Sequence, residues 1–256
     1  MAVSKEDLIN SIVEICAKMD AKGWVANHDG NISTRFEDTF LATPTAVSKA
    51  DVIPEWIITL DKSGKKIEGT HNPFSEIKLH LAAYNAREDI QAVVHAHPPF
   101  SMARGLAGID FEVSIPEAIV SIGDIIPVVP YAFPGDSEND TLVAHAVNRC
   151  DVFMMAGNGV LSVGRDVKEA YLRMELLEHL LKIDYYARSM GTVMSIPVND
   201  RQKLLDKRAS LGLGPKELNP LQTGSTGEKE KAPAGNLNEL IKEVISEEIK
   251  KILISK

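Results

Sequence analysis

Leu8, Ile9, Ile12, Val13, Cys16 and Met19 recur at helical spacing, the signature of a helix with one buried face. Ser4 with Asp7 forms a helix start and Gly23 an end, so the pattern predicts an opening amphipathic helix. The period then changes. Branched and aromatic residues predict strands at 39–42 and 56–60, Pro73 and Ser75 open a helix over 76–87, and 91–94 reads as a buried strand. Further strands are expected at 125–129 and 152–155, a helix at 138–147, and a long helix over 166–190 that Asp166 can cap. The mixture predicts an α/β domain with helices packed on a sheet.

Beyond residue 210 the pattern breaks down, and Gly212, Gly214, Pro215, Pro220, Gly224, Gly227, Pro233 and Gly235 punctuate a polar stretch. Asn236 with Glu239 then starts another helix, whose stripe is Leu237, Leu240, Ile241, Val244, Ile245, Ile249, Ile252 and Leu253. The expected organisation is a folded domain over 1–210, a flexible linker over 211–235 and a separate amphipathic helix over 236–256.

Composition narrows the classes. The 256 residues, 44% hydrophobic and 25% charged, suffice for one large core. A net charge of −8 supplies no global positive field for nucleic acid or an anionic membrane, and no apolar run approaches the ~20 residues of a membrane span. Cys16 and Cys150 lack CxxC spacing and read as packed thiols in a reducing compartment. A cytoplasmic protein is expected, with neither nucleic acid nor membrane as partner.

Candidate chemistry centres on His95 and His97. Residues two apart on a strand share a face, so both imidazoles can reach one ion, and Pro98 and Pro99 would put them at a strand terminus or sheet edge. Two hydrogen-bonded structural histidines would give the same spacing. Glu76, at the start of the preceding helix, can bind metal or move protons, and His80, one turn on, is a rival ligand. His28, His71, His145 and His179 have no such company.

These motifs, with His28-Asp29-Gly30-Asn31-Ile32-Ser33, Thr43-Pro44-Thr45, Pro73-Phe74-Ser75-Glu76, Pro130-Tyr131-Ala132 and Gly157-Asn158-Gly159-Val160, make residues 5 to 195 resemble the class II aldolase and adducin-head family. That family includes L-fuculose-1-phosphate aldolase and L-ribulose-5-phosphate 4-epimerase. The resemblance implies a central, mainly antiparallel sheet with helices on both sides. It makes His95 and His97 ligands of Zn2+ or another divalent metal, and Glu76 the acid/base. Asn158 stands where the family has a third metal histidine. Gly30, Asn31, Thr45 and Ser75 match the phosphate donors, although Ala46 replaces a usual glycine and Phe74 a small polar residue. Tyr131 matches a tyrosine that serves the aldehyde from a neighbouring subunit.

The implied reaction is reversible cleavage of a ketose 1-phosphate, L-fuculose 1-phosphate or L-rhamnulose 1-phosphate, to dihydroxyacetone phosphate and lactaldehyde, in a homotetramer. A pentulose-phosphate 4-epimerase or dehydratase is the alternative within the fold. A non-catalytic adducin-head-like module is the other, favoured by Asn158. The tail over 236–256 is similar to encapsulation peptides of bacterial microcompartment cargo, which would make shell or cargo proteins its partners. The other reading of the tail is a helix packed on a neighbouring subunit.

Overall fold

A computed structural model describes residues 3–133 and 136–215. The terminal helix expected over 236–256, and all of the expected linker except 211–215, lie outside the described residues. The chain order is α1 (Lys5–Ala21), β1 (Asn31–Phe36), β2 (Thr39–Ala42), β3 (Ile58–Leu60), β4 (Lys66–Glu68), α2 (Ile77–Ala86) and β5 (Ala92–Ala96). Then come α3 (Pro99–Leu106), β6 (Phe111–Glu112), α4 (Pro116–Ile122), β7 (Ile125–Ile126), β8 (Val128–Val129) and α5 (Ser137–Val147), followed by β9 (Val152–Met155), β10 (Val160–Gly164), α6 (Val167–Met190) and α7 (Val198–Ser210).

One eight-stranded sheet runs β4-β3-β2-β1-β5-β10-β9-β8, antiparallel at every step except β9 with β8. Strand β5 is interior, with His95 opposite Asn31 on one side and Leu161 on the other. Its residues are all buried, because both faces of the sheet are covered. Ala92, Val94 and Ala96 join a core with Ile12 of α1, Ile119 of α4 and Leu177 of α6. Val93 joins a second core with Leu79 and Tyr84 of α2 and Val143 of α5. The expected three layers follow: sheet in the middle, helices on both sides.

The local signals act as their chemistry requires. Ser4 and Asp7 form a reciprocal capping box on α1, and the Asp166 carboxylate accepts the Glu169 N–H at the start of α6. Both cysteines are buried thiols, each pushed up to about 12 by burial. Pro127 divides the strand expected over 125–129 into β7, which pairs with β6, and β8, which joins the main sheet. Residues 54–56 wind into a 3-10 turn, so only the end of the 56–60 expectation is strand. Among the described residues no helix is long and apolar enough to cross a membrane.

One buried ionic cluster joins distant elements. Asp151, fully buried before β9, accepts from Arg87 at 2.8 Å and from Arg208 of α7 at 2.8 Å, with Arg173 of α6 3.4 Å away. Arg208 also donates to the carbonyls of Val120 and Ser121. Removing the shared carboxylate leaves buried guanidinium groups facing one another. Asp151→Ala should therefore lower the free energy of unfolding by about 3–5 kcal/mol, read from urea denaturation.

Candidate active site

The His-x-His pair sits where three strands end side by side. His97 lies just past β5 and its N–H donates to the Trp24 carbonyl at 2.9 Å. Pro98 and Pro99 end the strand by starting α3, not by lying on a sheet edge. The first N–H groups of that helix are capped by the buried Glu178 carboxylate, which accepts from Phe100 N at 3.0 Å and from Ser101 N at 2.8 Å. The turn from β9 to β10 closes over the other side. Gly159 (φ +68°) lies so close that a Cβ there would meet the Ala96 carbonyl and the His97 ring, both at 2.3 Å.

One imidazole commits a nitrogen to the backbone, and the other has a carboxylate nearby. His95 is 1% exposed, and its Nδ1–H donates to the Val160 carbonyl at 2.9 Å, which leaves the Nε2 lone pair free. His97 Nδ1 lies 3.5 Å from the Asp29 carboxylate. The two Nε2 atoms are 3.3 Å apart, close to the about 3.3–3.4 Å separating two nitrogens on one tetrahedral divalent ion. Burial and the neighbouring His95 hold the His97 imidazole below its usual pKa, against the pull of Asp29 and Glu76, and the neutral ring is the form that ligates a metal. The pair fits two positions of a divalent ion. Among the described residues no group of three or more His, Cys, Asp or Glu side chains closes a cage.

Glu76 stands at the N-cap of α2, with Oε2 3.5 Å from His95 Nε2. Two carboxamides hold it: Asn31 Nδ2 donates to Oε2 at 2.9 Å and Asn158 Nδ2 to Oε1 at 2.8 Å. Burial opposes its ionisation most strongly, but His95, Asn158, Asn31 and His80 together outweigh it and take the pKa down to about 2. A cavity of about 190 Å³ opens beside the carboxylate, lined by Ser75, Glu76, Lys78, Tyr131, Asn139 and Asn158 among others. Tyr131, 65% exposed, lines the cavity of its own chain.

The remaining expected residues divide. Gly30 (φ +71°) lies against the His95 carbonyl. The loops carrying Thr45 and Ser75 meet through a Pro44–Pro73 bridge, and Thr45 N donates to the Asn72 carbonyl, which leaves only its hydroxyl free. Ala46 has a left-handed backbone (φ +57°), a conformation that glycine adopts more readily. Phe74 turns inward and packs on His80, rings 5.0 Å apart, instead of facing the cavity. His80 is fully buried, its Nδ1 2.8 Å from the Ser33 hydroxyl, which also contacts Tyr84 OH at 2.8 Å. His28, His145 and His179 are exposed, and His71 contacts Thr70.

Sequence reasoning did not single out Asp29, Glu178, Lys49 or Lys78. Lys49 is buried, and its ammonium donates to the carbonyls of Val47 at 2.9 Å and His28 at 3.4 Å, stitching together the loops that carry Gly30 and Thr45. Asp29 was visible inside the His28-Asp29-Gly30 block. A carboxylate beside a ligand histidine was the available signal.

A family model described as Class II Aldolase and Adducin N-terminal domain matches residues 10–185. The chain is 30% identical over 178 residues to a 3-oxo-tetronate 4-phosphate decarboxylase of Pectobacterium atrosepticum, covering 67% of this chain and 81% of that one. It is 28% identical over 185 residues to an L-fuculose phosphate aldolase of Methanococcus maripaludis, covering 72% and 98% respectively. Among solved structures, YgbL of Escherichia coli, whose activity is described only as aldolase/epimerase/decarboxylase, superposes with a TM-score of 0.72 at 26% identity, covering 78% of this chain and 98% of that one.

A methyl group at position 159 would strike both the Ala96 carbonyl and the His97 ring. Gly159→Ala should weaken binding of Co2+ to the histidine pair by about ten- to a hundredfold, measured by chelator competition, while the far-UV circular dichroism stays unchanged.

Proposed function

The chain belongs to the class II aldolase and adducin N-terminal domain family, and on that premise we propose that it is a metal-dependent aldolase acting on a ketose 1-phosphate. The observation that carries this reading is the Glu76 carboxylate held 3.5 Å from one of two Nε2 atoms that are themselves 3.3 Å apart. Proton transfer and charge stabilisation are thereby available at one point. A scaffold has no use for that combination. The substrates we infer are L-fuculose 1-phosphate or L-rhamnulose 1-phosphate, with dihydroxyacetone phosphate and lactaldehyde as products.

His95 and His97 would hold a divalent ion such as Zn2+, which would supply Lewis-acid stabilisation of negative charge on the substrate and remove the need for a lysine Schiff base. The chain's own groups do the rest. In the direction of addition, Glu76 takes a proton from C3 of dihydroxyacetone phosphate, that carbon bonds to the aldehyde carbon, and the aldehyde oxygen takes its proton from Tyr131. Solvent exchange restores Glu76 and Tyr131, and cleavage is the reverse. The carboxamides of Asn31 and Asn158 favour the ionised form of Glu76, the form that can accept the C3 proton. The hydroxyls of Thr45 and Ser75, with Gly30 and Asn31, are our candidates for the phosphate. By family likeness we take the assembly to be a homotetramer.

The decarboxylase relative favours a second reading. Loss of CO2 from a 3-oxo-tetronate 4-phosphate would also leave dihydroxyacetone phosphate, with CO2 departing in place of an aldehyde. Both readings ask the same stabilisation of the site.

With L-fuculose 1-phosphate or L-rhamnulose 1-phosphate, dihydroxyacetone phosphate should appear in a reaction abolished by chelator and indifferent to borohydride. Glu76→Gln should lower kcat by about a hundred- to ten-thousandfold. Product retaining every carbon would move the assignment to an epimerase or dehydratase, and CO2 release from the 3-oxo acid alone would favour the decarboxylase. We also propose that residues 236–256 direct the protein into a bacterial microcompartment. A fluorescent protein fused to 221–256 should co-localise with shells, and uniform signal would sink that reading.

A further inference from the structure

Glu76 is held by neutral donors on both oxygens, and the geometry constrains what one of those donors can do. A carboxylate only accepts hydrogen bonds. A carboxamide 2.8 Å from it must therefore present its NH2, so the orientation of Asn158 follows from chemistry and not from fitting. With Nδ2 on Glu76 Oε1, the amide oxygen of Asn158 points away from the carboxylate. Turning that oxygen inward would set acceptor against acceptor in a part-buried site.

The backbone holds Asn158 in place. Its N–H donates to the Met155 carbonyl at 3.0 Å, Met155 N donates to the Gly159 carbonyl at 2.8 Å, and Gly157 and Gly159 on either side take left-handed conformations. Gly159 is packed closely on Ala96 and His97, which fixes the turn that carries Asn158. Asn31 grips the other oxygen of Glu76 from the strand paired with β5, and its own Oδ1 is buried without a partner.

Resting on the metal-dependent reading above, we propose that Asn158 is a positioning residue for Glu76 and not a metal ligand. A divalent ion then has two protein nitrogens, from His95 and His97, and the substrate's own oxygens complete its coordination. Retention of metal is therefore coupled to occupancy by substrate, because each is incomplete without the other.

Two measurements test this with Co2+ and dihydroxyacetone phosphate as probes on the full chain. Co2+ affinity of the wild type, by chelator competition, should tighten at least about tenfold with saturating dihydroxyacetone phosphate. Equal affinity with and without it would overturn the coupling. Asn158→Ala should keep Co2+ affinity within about twofold, yet slow deuterium exchange at C3 of dihydroxyacetone phosphate in D2O by at least about tenfold, with its KM little changed. Loss of Co2+ binding in that variant would make Asn158 a ligand and overturn the inference while leaving the metal reading intact. Failure of the wild type to bind Co2+ under either condition would instead remove the metal reading itself. If Asn158→Ala does not fold, the wild-type coupling decides alone.

Discussion

The site depends on the interior position of β5. A strand with a partner on each side has its register fixed twice, and here the β1 ladder ends at His95 and the β10 ladder one residue on, at Ala96. The β10 side supplies the Val160 carbonyl that fixes which imidazole nitrogen is free, and its preceding turn carries Asn158. The β1 side places Asn31 opposite His95 and thereby beside Glu76. Gly30 and Gly159 flank the same strand end, each where a side chain would strike the β5 backbone. A slip of one residue in either ladder would turn His95 to the opposite face of the sheet.

Two carboxylates, one buried and one half-buried, show how partner chemistry decides availability. Asp151 is surrounded by guanidinium groups, and a charge neutralised by fixed countercharges inside a protein is inert. Glu76 accepts its hydrogen bonds from two neutral carboxamides, which favour its charge without cancelling it, and His95 lies beside it. Its negative charge remains for a proton or a cation. The same functional group serves architecture in one place and chemistry in the other: its hydrogen-bond donors are guanidinium groups at Asp151 and neutral carboxamides at Glu76.

Much of this was legible in the chain. Strong periodicity placed α1, α5 and α6 within a residue or two, and the branched runs placed β2 and β9. Glu76, His95 and His97 are close neighbours in sequence on elements whose type was clear, so their convergence could be anticipated. What escaped depends on distance along the chain. Strand β10 is five residues following the Gly157-Asn158-Gly159 turn, and α3 begins at prolines that read equally well as a strand end. Asp151 meets Arg208 across 57 residues, and Glu178 caps a helix 77 residues upstream. The direction in which Asn158 offers its amide is set by a carboxylate 82 residues away. Residue identity alone reveals the side chain and not which of its ends is used.

The buried fork of Arg208 bears on what lies downstream of it. Because it grips Asp151 beside β9 and two carbonyls at the end of α4, α7 is bolted to the sheet and not merely laid against it. Tension applied beyond residue 215 would reach a desolvated ion pair after a single turn of helix. The end of the described chain is thus held on the β9 side of the sheet, away from the strand that carries the histidines.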